Sequence, residues 1–253
     1  LGDIAQKDTF EAAIRELLHW FVRQSLGMMR ADGTQMLGTP GATWDRFFFT
    51  SAVEAFGEGD ERKLAKATLP GKGSGKPDGV NKSLAKRLGL PATNSEWASM
   101  ALLRSSWQTD SPRLLLDYAT DHVRSELFVD DRVIVSGNCS PQVEVDGRPL
   151  EVDTFWSEVC WHSDEDVDYI EIEANLTGDW KCQRQLLLDR KDRFLYGRCR
   201  DRSPSGRHQL PMRLAHRGKP AYRFRRGDHR MHIGGRQAKG RPCVAARFAR
   251  MEM

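Results

Sequence analysis

FWSEVCWHSDEDVDYIEIEANLTGDWKCQRQLLLDRKDRFLYGR, residues 155–198, is the stretch whose reading decides the fold. After Asp166, V-D-Y-I-E-I-E-A sets Val167, Tyr169 or Ile170, and Ile172 against charged neighbours, the alternation of a half-buried strand. Leu176-Thr177-Gly178-Asp179 reads as a turn. The run that follows, 180–188, alternates at first and ends on the continuous Leu186-Leu187-Leu188. Arg190-Lys191-Asp192-Arg193 makes the next turn, and Phe194-Leu195-Tyr196 opens another strand. Short strands with turn signals roughly every 8–12 residues predict an antiparallel β-sandwich. The stretch contains no catalytic motif.

Upstream of it the same period holds back to about residue 96. Residues 98–107, 113–118, 123–129, 132–135 and 141–145 read as successive strands, with Asp130-Asp131 as a hairpin turn. Before residue 96 the period is helical. Residues 8–30 carry Phe10, Ile14, Leu17, Leu18, Phe21, Val22, Ser25 and Leu26 as one apolar stripe, with Asp8 or Thr9 as N-cap and Ala31-Asp32-Gly33 as the stop. His19 and Trp20 lie on or beside this stripe, where packing is the expected role. A second helix runs from Trp44 through Phe47, Phe48, Ala52 and Phe56, a third over 60–68, and a short basic one over 81–88.

A chain of 253 residues is long enough to bury a core as one large domain or two smaller ones. It has no apolar run of about 18 residues, so no helix spans a membrane, and no signal peptide is visible. Cys139, Cys160, Cys182, Cys199 and Cys243 are odd in number and form no C-x-x-C pair. This argues against a zinc ribbon and a disulfide framework; Cys160 and Cys182 are expected as buried thiols on strands. In 69–80, LPGKGSGKPDGV, the spacing from Gly71 to Gly75 is one residue short of a phosphate-binding loop and Pro77 replaces the hydroxyl. The segment reads as a flexible basic linker. No motif calls for a cofactor or a metal: Asp164, Asp166 and Asp168 offer oxygens without the later Glu of a calcium loop.

Ser-Met-Ala-Leu-Leu-Arg-Ser-Ser-Trp (99–107), Ser-Glu-Leu-Phe-Val-Asp-Asp-Arg-Val-Ile-Val-Ser-Gly (125–137), and the later D-Y-I-E-I-E (168–173) and R-Q-L-L-L-D-R-K-D-R-F-L-Y (184–196) resemble the heparinase II/III-like polysaccharide lyases. The resemblance covers about residues 8–200. It implies an α+β chain: N-terminal α-helices that are the end of an α/α toroid, followed by an antiparallel β-sandwich. It also implies an acidic polysaccharide as partner, a periplasmic or extracellular setting, and a toroid Tyr or Asn upstream of Leu1. The family's His-x-His-x-Asp-like element would precede 125–129, where this chain has Asp117-Tyr118-Ala119-Thr120-Asp121-His122. That segment holds one imidazole, outside the matching spacing.

Lyases of this kind need a base for the C5 proton, an acid for the leaving oxygen and a counter-charge for the uronate. In the β part His162 and Tyr169, joined by the acidic run Asp164-Glu165-Asp166 and Asp168, are the catalytic candidates. His122 beside Asp121 is a further candidate. Trp156, Trp161 and Trp180, among seven Trp, are candidates to stack on sugar rings. Trp156 and Trp161 are five apart, so on a regular strand they point to opposite faces and one of them packs inside. Each of these residues also has a structural reading, as a solvated turn, a strand Tyr or a core indole.

Residues 201–253 hold 14 Lys/Arg and 3 Asp/Glu, against 25 and 32 in the first 200. Arg223-Phe224-Arg225-Arg226 and His229-Arg230-Met231-His232 fit an RNA- or DNA-binding arm, while the composition also fits a disordered tail. The abrupt end of the alternation near Leu214 favours a third reading, a shifted reading frame in GC-rich coding DNA. The expected organisation is a helical region over 1–68, a linker over 69–95, a β-sandwich over 96–214 and a basic tail over 215–253. A non-catalytic sandwich module is the alternative to a glycan-directed lyase, and nucleic-acid binding requires a genuine tail.

Overall fold

The computed structural model describes residues 12–38, 46–69, 79–130, 132–140, 143–145, 148–191, 194–202 and 230–232. Four helices come first: α1 (Ala12–Gly27), α2 (Arg46–Phe56), α3 (Gly59–Thr68) and α4 (Lys82–Leu88). The first five strands, β1 (Thr93–Ser95), β2 (Met100–Arg104), β3 (Arg113–Asp117), β4 (Arg124–Val129) and β5 (Arg132–Asn138), form one antiparallel sheet in chain order. A two-stranded piece follows, β6 (Val143–Val145) with β7 (Arg148–Leu150). The second five-stranded sheet is built from β8 (Ser157–Ser163), β9 (Val167–Leu176), β10 (Trp180–Asp189), β11 (Phe194–Arg202) and β12 (Arg230–His232). The chain is α+β, with an antiparallel β-sandwich after the helices.

Burial follows from which faces are covered. In β9 the pattern alternates strictly: Asp168, Ile170, Ile172, Ala174 and Leu176 are buried, and the residues between them are half-buried or exposed. Ile170, Ile172, Ala174, Leu176, Cys182, Leu186 and Leu188 of the second sheet meet Ala101, Leu103, Leu114, Leu116, Leu127 and Val129 of the first. This is the sandwich core. The first sheet is covered on its other face too, where Leu102, Leu115 and Phe128 pack against Met36 and its neighbours in the segment after α1. A strand covered on both faces needs apolar side chains at successive positions. That is why 114–116 reads Leu-Leu-Leu while β9 alternates. A third core joins Val22, Leu26, Phe49, Val53, Leu64, Leu84, Leu88 and Trp107, so α4 packs with α1–α3.

Three buried arginines stitch these layers together. Arg30, after α1, makes a two-pronged bond to Glu126 of β4, Nε and Nη2 each 2.6 Å from a carboxylate oxygen, with both side chains almost fully buried. Arg104, 1% exposed, donates to the carbonyls of Gly27, Ser106, Trp107 and Gln108 and stacks over the Trp107 ring at 5.1 Å. Gly27 is the last residue of α1, so Arg104 sits at the negative end of that helix. Burial, and then the neighbouring Arg113, push its guanidinium well below its ordinary value. Arg113 donates to the carbonyls of Met29 and Thr109 and lies over Phe128.

The structure corrects several expectations. α1 stops at Gly27, short of Ala31-Asp32-Gly33, because Met29 pairs with Gln35 in an antiparallel bridge; Gly33 (φ 81°) turns the chain between them. Among the described residues of its apolar stripe, Val22, Ser25 and Leu26 of the last turns are buried, while Ile14, Leu17 and Phe21 are exposed. Cys160 is exposed on β8, while Cys182 is buried as expected. The α1 N-cap, the side chains of Phe47 and Phe48, the 70–78 part of the linker, and the tail apart from β12 lie outside the described residues.

Candidate functional site

The second sheet presents the residues singled out in the sequence. His162 and Tyr169 are direct cross-strand partners on β8 and β9. Side chains at paired positions share a face, and this is the face turned away from Ile170 and Ile172. The acidic turn at 164–166 forms because Asp164 Oδ1 accepts the N–H groups of Asp166 and Val167, both at 2.8 Å. Its Oδ2 lies 2.9 Å from His162 Nε2. The His162 contact, followed by the two backbone N–H groups, holds the exposed Asp164 carboxyl down at about 2. Tyr169 donates to Glu171 at 2.7 Å, which also accepts from Gln185 at 3.0 Å. Glu173 accepts from Lys181 and Gln183, both at 2.6 Å. The result is an imidazole oriented by a carboxylate and facing a phenol across one strand pair. Such a pair can pass a proton to or from a ligand lying on the sheet.

Asp168, expected in the same acidic run, is separated from it by strand parity. It points into the sandwich, where it accepts from the Arg104 N–H at 2.9 Å, from Ser163 at 2.8 Å and from Arg190. Burial, the largest influence, pushes its carboxyl up in spite of these donors. Asp166 pairs with Lys191 at 2.6 Å.

The tryptophans divide differently from the five-residue spacing argument. A β-bulge between Glu158 and Cys160 inserts one residue into β8. It shifts the parity, so Trp161 pairs with Ile170 on the core side, the same side that Trp156 fills. Trp156 is 3% exposed and donates to the Asp121 carbonyl at 3.1 Å. Trp161 and Trp180 are half-buried against the core. His122 is exposed, 3.6 Å from Asp121, and its other bonds stay within its own loop.

A second constellation lies in the helical part. A cleft of about 320 Å³ is lined by His19 and Arg23 of α1, by Glu58, Gly59, Asp60 and Glu61 at the start of α3, and by Arg87 and Leu88 at the end of α4. Asp60 and Glu61 suit the positive end of α3. Asp60 is held by Nε and Nη2, one edge of the Arg87 guanidinium, which keeps its carboxyl below the ordinary value. Glu61, 3% exposed, faces His19 at 3.0 Å and Arg23 at 3.9 Å. No sequence signal ties His19 to Glu61; helix packing alone joins them.

No family model and no curated protein sequence matches this chain. Among solved structures, the crystal structure of heparan sulfate lyase HepC from Pedobacter heparinus is similar to it, with a TM-score of 0.52 and 13% identity. The match covers 79% of this chain and 34% of that one, so this chain spans about a third of the lyase's length. At such identity the likeness is one of fold.

Proposed function

We propose that this chain is a polysaccharide lyase-like protein that acts on or binds an acidic glycan. The observation that carries this reading is the likeness of its helices and sandwich, over most of the chain, to a heparan sulfate lyase. In this reading α1–α4 are the end of an α/α toroid, within the division 1–68, 69–95, 96–214 and 215–253. The exposed Ile14, Leu17 and Phe21 support it, since a helix face of that composition suits packing against another helix.

His162 and Tyr169 are the acid–base pair of this proposal, with Asp164 orienting the imidazole. A base removes the C5 proton of the uronate, the bond from C4 to the leaving oxygen breaks, and an acid protonates that oxygen. His122 keeps surface that a sugar can reach, whereas Trp156 serves the core and Trp161 and Trp180 lie half-buried on the core side, away from the face of His162 and Tyr169. A non-catalytic binding module is the second reading. It is favoured by the mutual satisfaction of Tyr169, Glu171, Glu173, Lys181, Gln183 and Gln185 on the sheet face.

Heparan sulfate, heparin, chondroitin sulfate and alginate, each incubated with the protein, test both. Ultraviolet absorbance from unsaturated uronate ends, reduced about 100-fold or more in His162→Ala and Tyr169→Phe, is the expected result. Binding by calorimetry without new absorbance selects the module. Neither binding nor absorbance with any of the four sinks the glycan reading.

A further inference from the structure

We infer that His19, Glu58 and Glu61 form a site for a divalent transition-metal ion, with Zn²⁺ the best match to their ligand chemistry. One imidazole nitrogen and two carboxylates are a borderline donor set of the kind that zinc takes, at about 2.0–2.2 Å from each ligand atom. Tetrahedral bonds of that length place ligand atoms roughly 3.3–3.6 Å apart. Here one ligand atom from each of the three residues lies within 4.8 Å of the others, a spread that small side-chain rotations close.

The contact between His19 and Glu61 points to a ligand. Their atoms are 3.0 Å apart, yet His19 Nε2 is buried and has no hydrogen-bond partner among the described residues. The ring nitrogen and the carboxylate therefore approach closely without hydrogen-bond alignment, on the wall of the cleft that both residues line. Glu61 is a buried carboxylate that, among the described residues, pairs with this imidazole and with Arg23 at 3.9 Å, a weak compensation for a group taken out of water. Glu58 is the residue before α3, but its side chain caps no helix N–H. Its carboxylate is exposed and open to the cleft.

The arginines of the cleft are engaged elsewhere. Arg23 donates to the Leu88 carbonyl, and Arg87 is held by Asp60 and Ser83. Two carboxylates and one imidazole gather here beside one guanidinium. Three protein ligands facing an open cleft also leave a coordination position for water or a substrate oxygen. The inference is independent of the glycan reading, since it rests on the helical cleft and its test reads metal binding.

Titration of the full chain with Zn²⁺ alone, followed by calorimetry and by competition with a chromophoric chelator, tests the site. His122, His162 and Cys160 are exposed and supply adventitious ligands, so the variants decide. The expected result is one Zn²⁺ per chain, with affinity lowered at least ~10-fold in each of His19→Ala, Glu61→Gln and Glu58→Gln, and unchanged in His162→Ala. Glu58 is exposed, so Glu58→Gln folds even where loss of the buried Glu61 charge does not. Cobalt in place of zinc is expected to give the visible absorption of a tetrahedral nitrogen–oxygen site, lost in the same variants. Absence of Zn²⁺ binding, or binding that Glu58→Gln and His19→Ala leave unchanged, overturns the inference.

Discussion

Asp164 shows how much one turn residue does. Its carboxylate terminates β8, starts β9 through two backbone N–H groups and orients His162. Because its folded value lies near 2, below the ordinary 3.8, the turn gains from Asp164 fully above the ordinary value. The gain is lost as pH falls from there through about 2. NMR titration of the Asp164 carboxyl is expected to give a midpoint near 2, moving up toward 3.8 in His162→Ala. An ordinary midpoint in the unaltered protein would mean that the contact with His162 is not made. The pairing of His162 with Tyr169 was within reach of sequence reasoning, since a short turn between two alternating strands brings them opposite. Trp161 was not: the bulge that turns it inward has no signature in the residues around it, because any L-residue can supply the extra position.

At the scale of elements, local chemistry accounts for most boundaries. Asn81 caps α4 by accepting the Leu84 N–H at 2.8 Å, and Gly89 ends it with φ 72°. A Cβ at Gly89 meets nothing within 4 Å, so Gly89→Ala isolates the backbone cost of a left-handed position. The expected loss is about 1 kcal/mol by urea unfolding. Gly59→Ala, equally free of neighbours but without the positive φ, is expected to be neutral or slightly stabilising. Equal losses at both sites would show that the backbone angle is not the cause. The strands of the second sheet were legible because one open face imposes alternation. The end of α1 was not, since the bridge from Met29 to Gln35 and the docking of Arg104 on Gly27 both come from outside the helix.

For the whole molecule, Arg104 is the joint between helices and sandwich. It is buried in the first sheet and bonds the end of α1, while its own backbone N–H holds Asp168 of the second sheet. Arg104→Ala takes the guanidinium donor from the carbonyls of Gly27 and Trp107 in buried contacts, at a cost of about 3 kcal/mol or more. Arg104→Lys is expected to recover only part, because an ammonium cannot fork to divergent carbonyls. Helical circular dichroism and tryptophan fluorescence are expected to report one common unfolding transition, shifted together in Arg104→Ala. Two separated transitions would refute this coupling of the layers. The sequence by itself determined the order of helices before strands, the antiparallel sandwich and the alternation of β9, because periodicity records how many faces of an element are covered. Only the tertiary structure decided that the first sheet lies between the segment after α1 and the second sheet, that Asp168 turns inward, and that His19 meets Glu61. Those outcomes depend on contacts between residues distant in the chain, and pairings at long range leave no period behind.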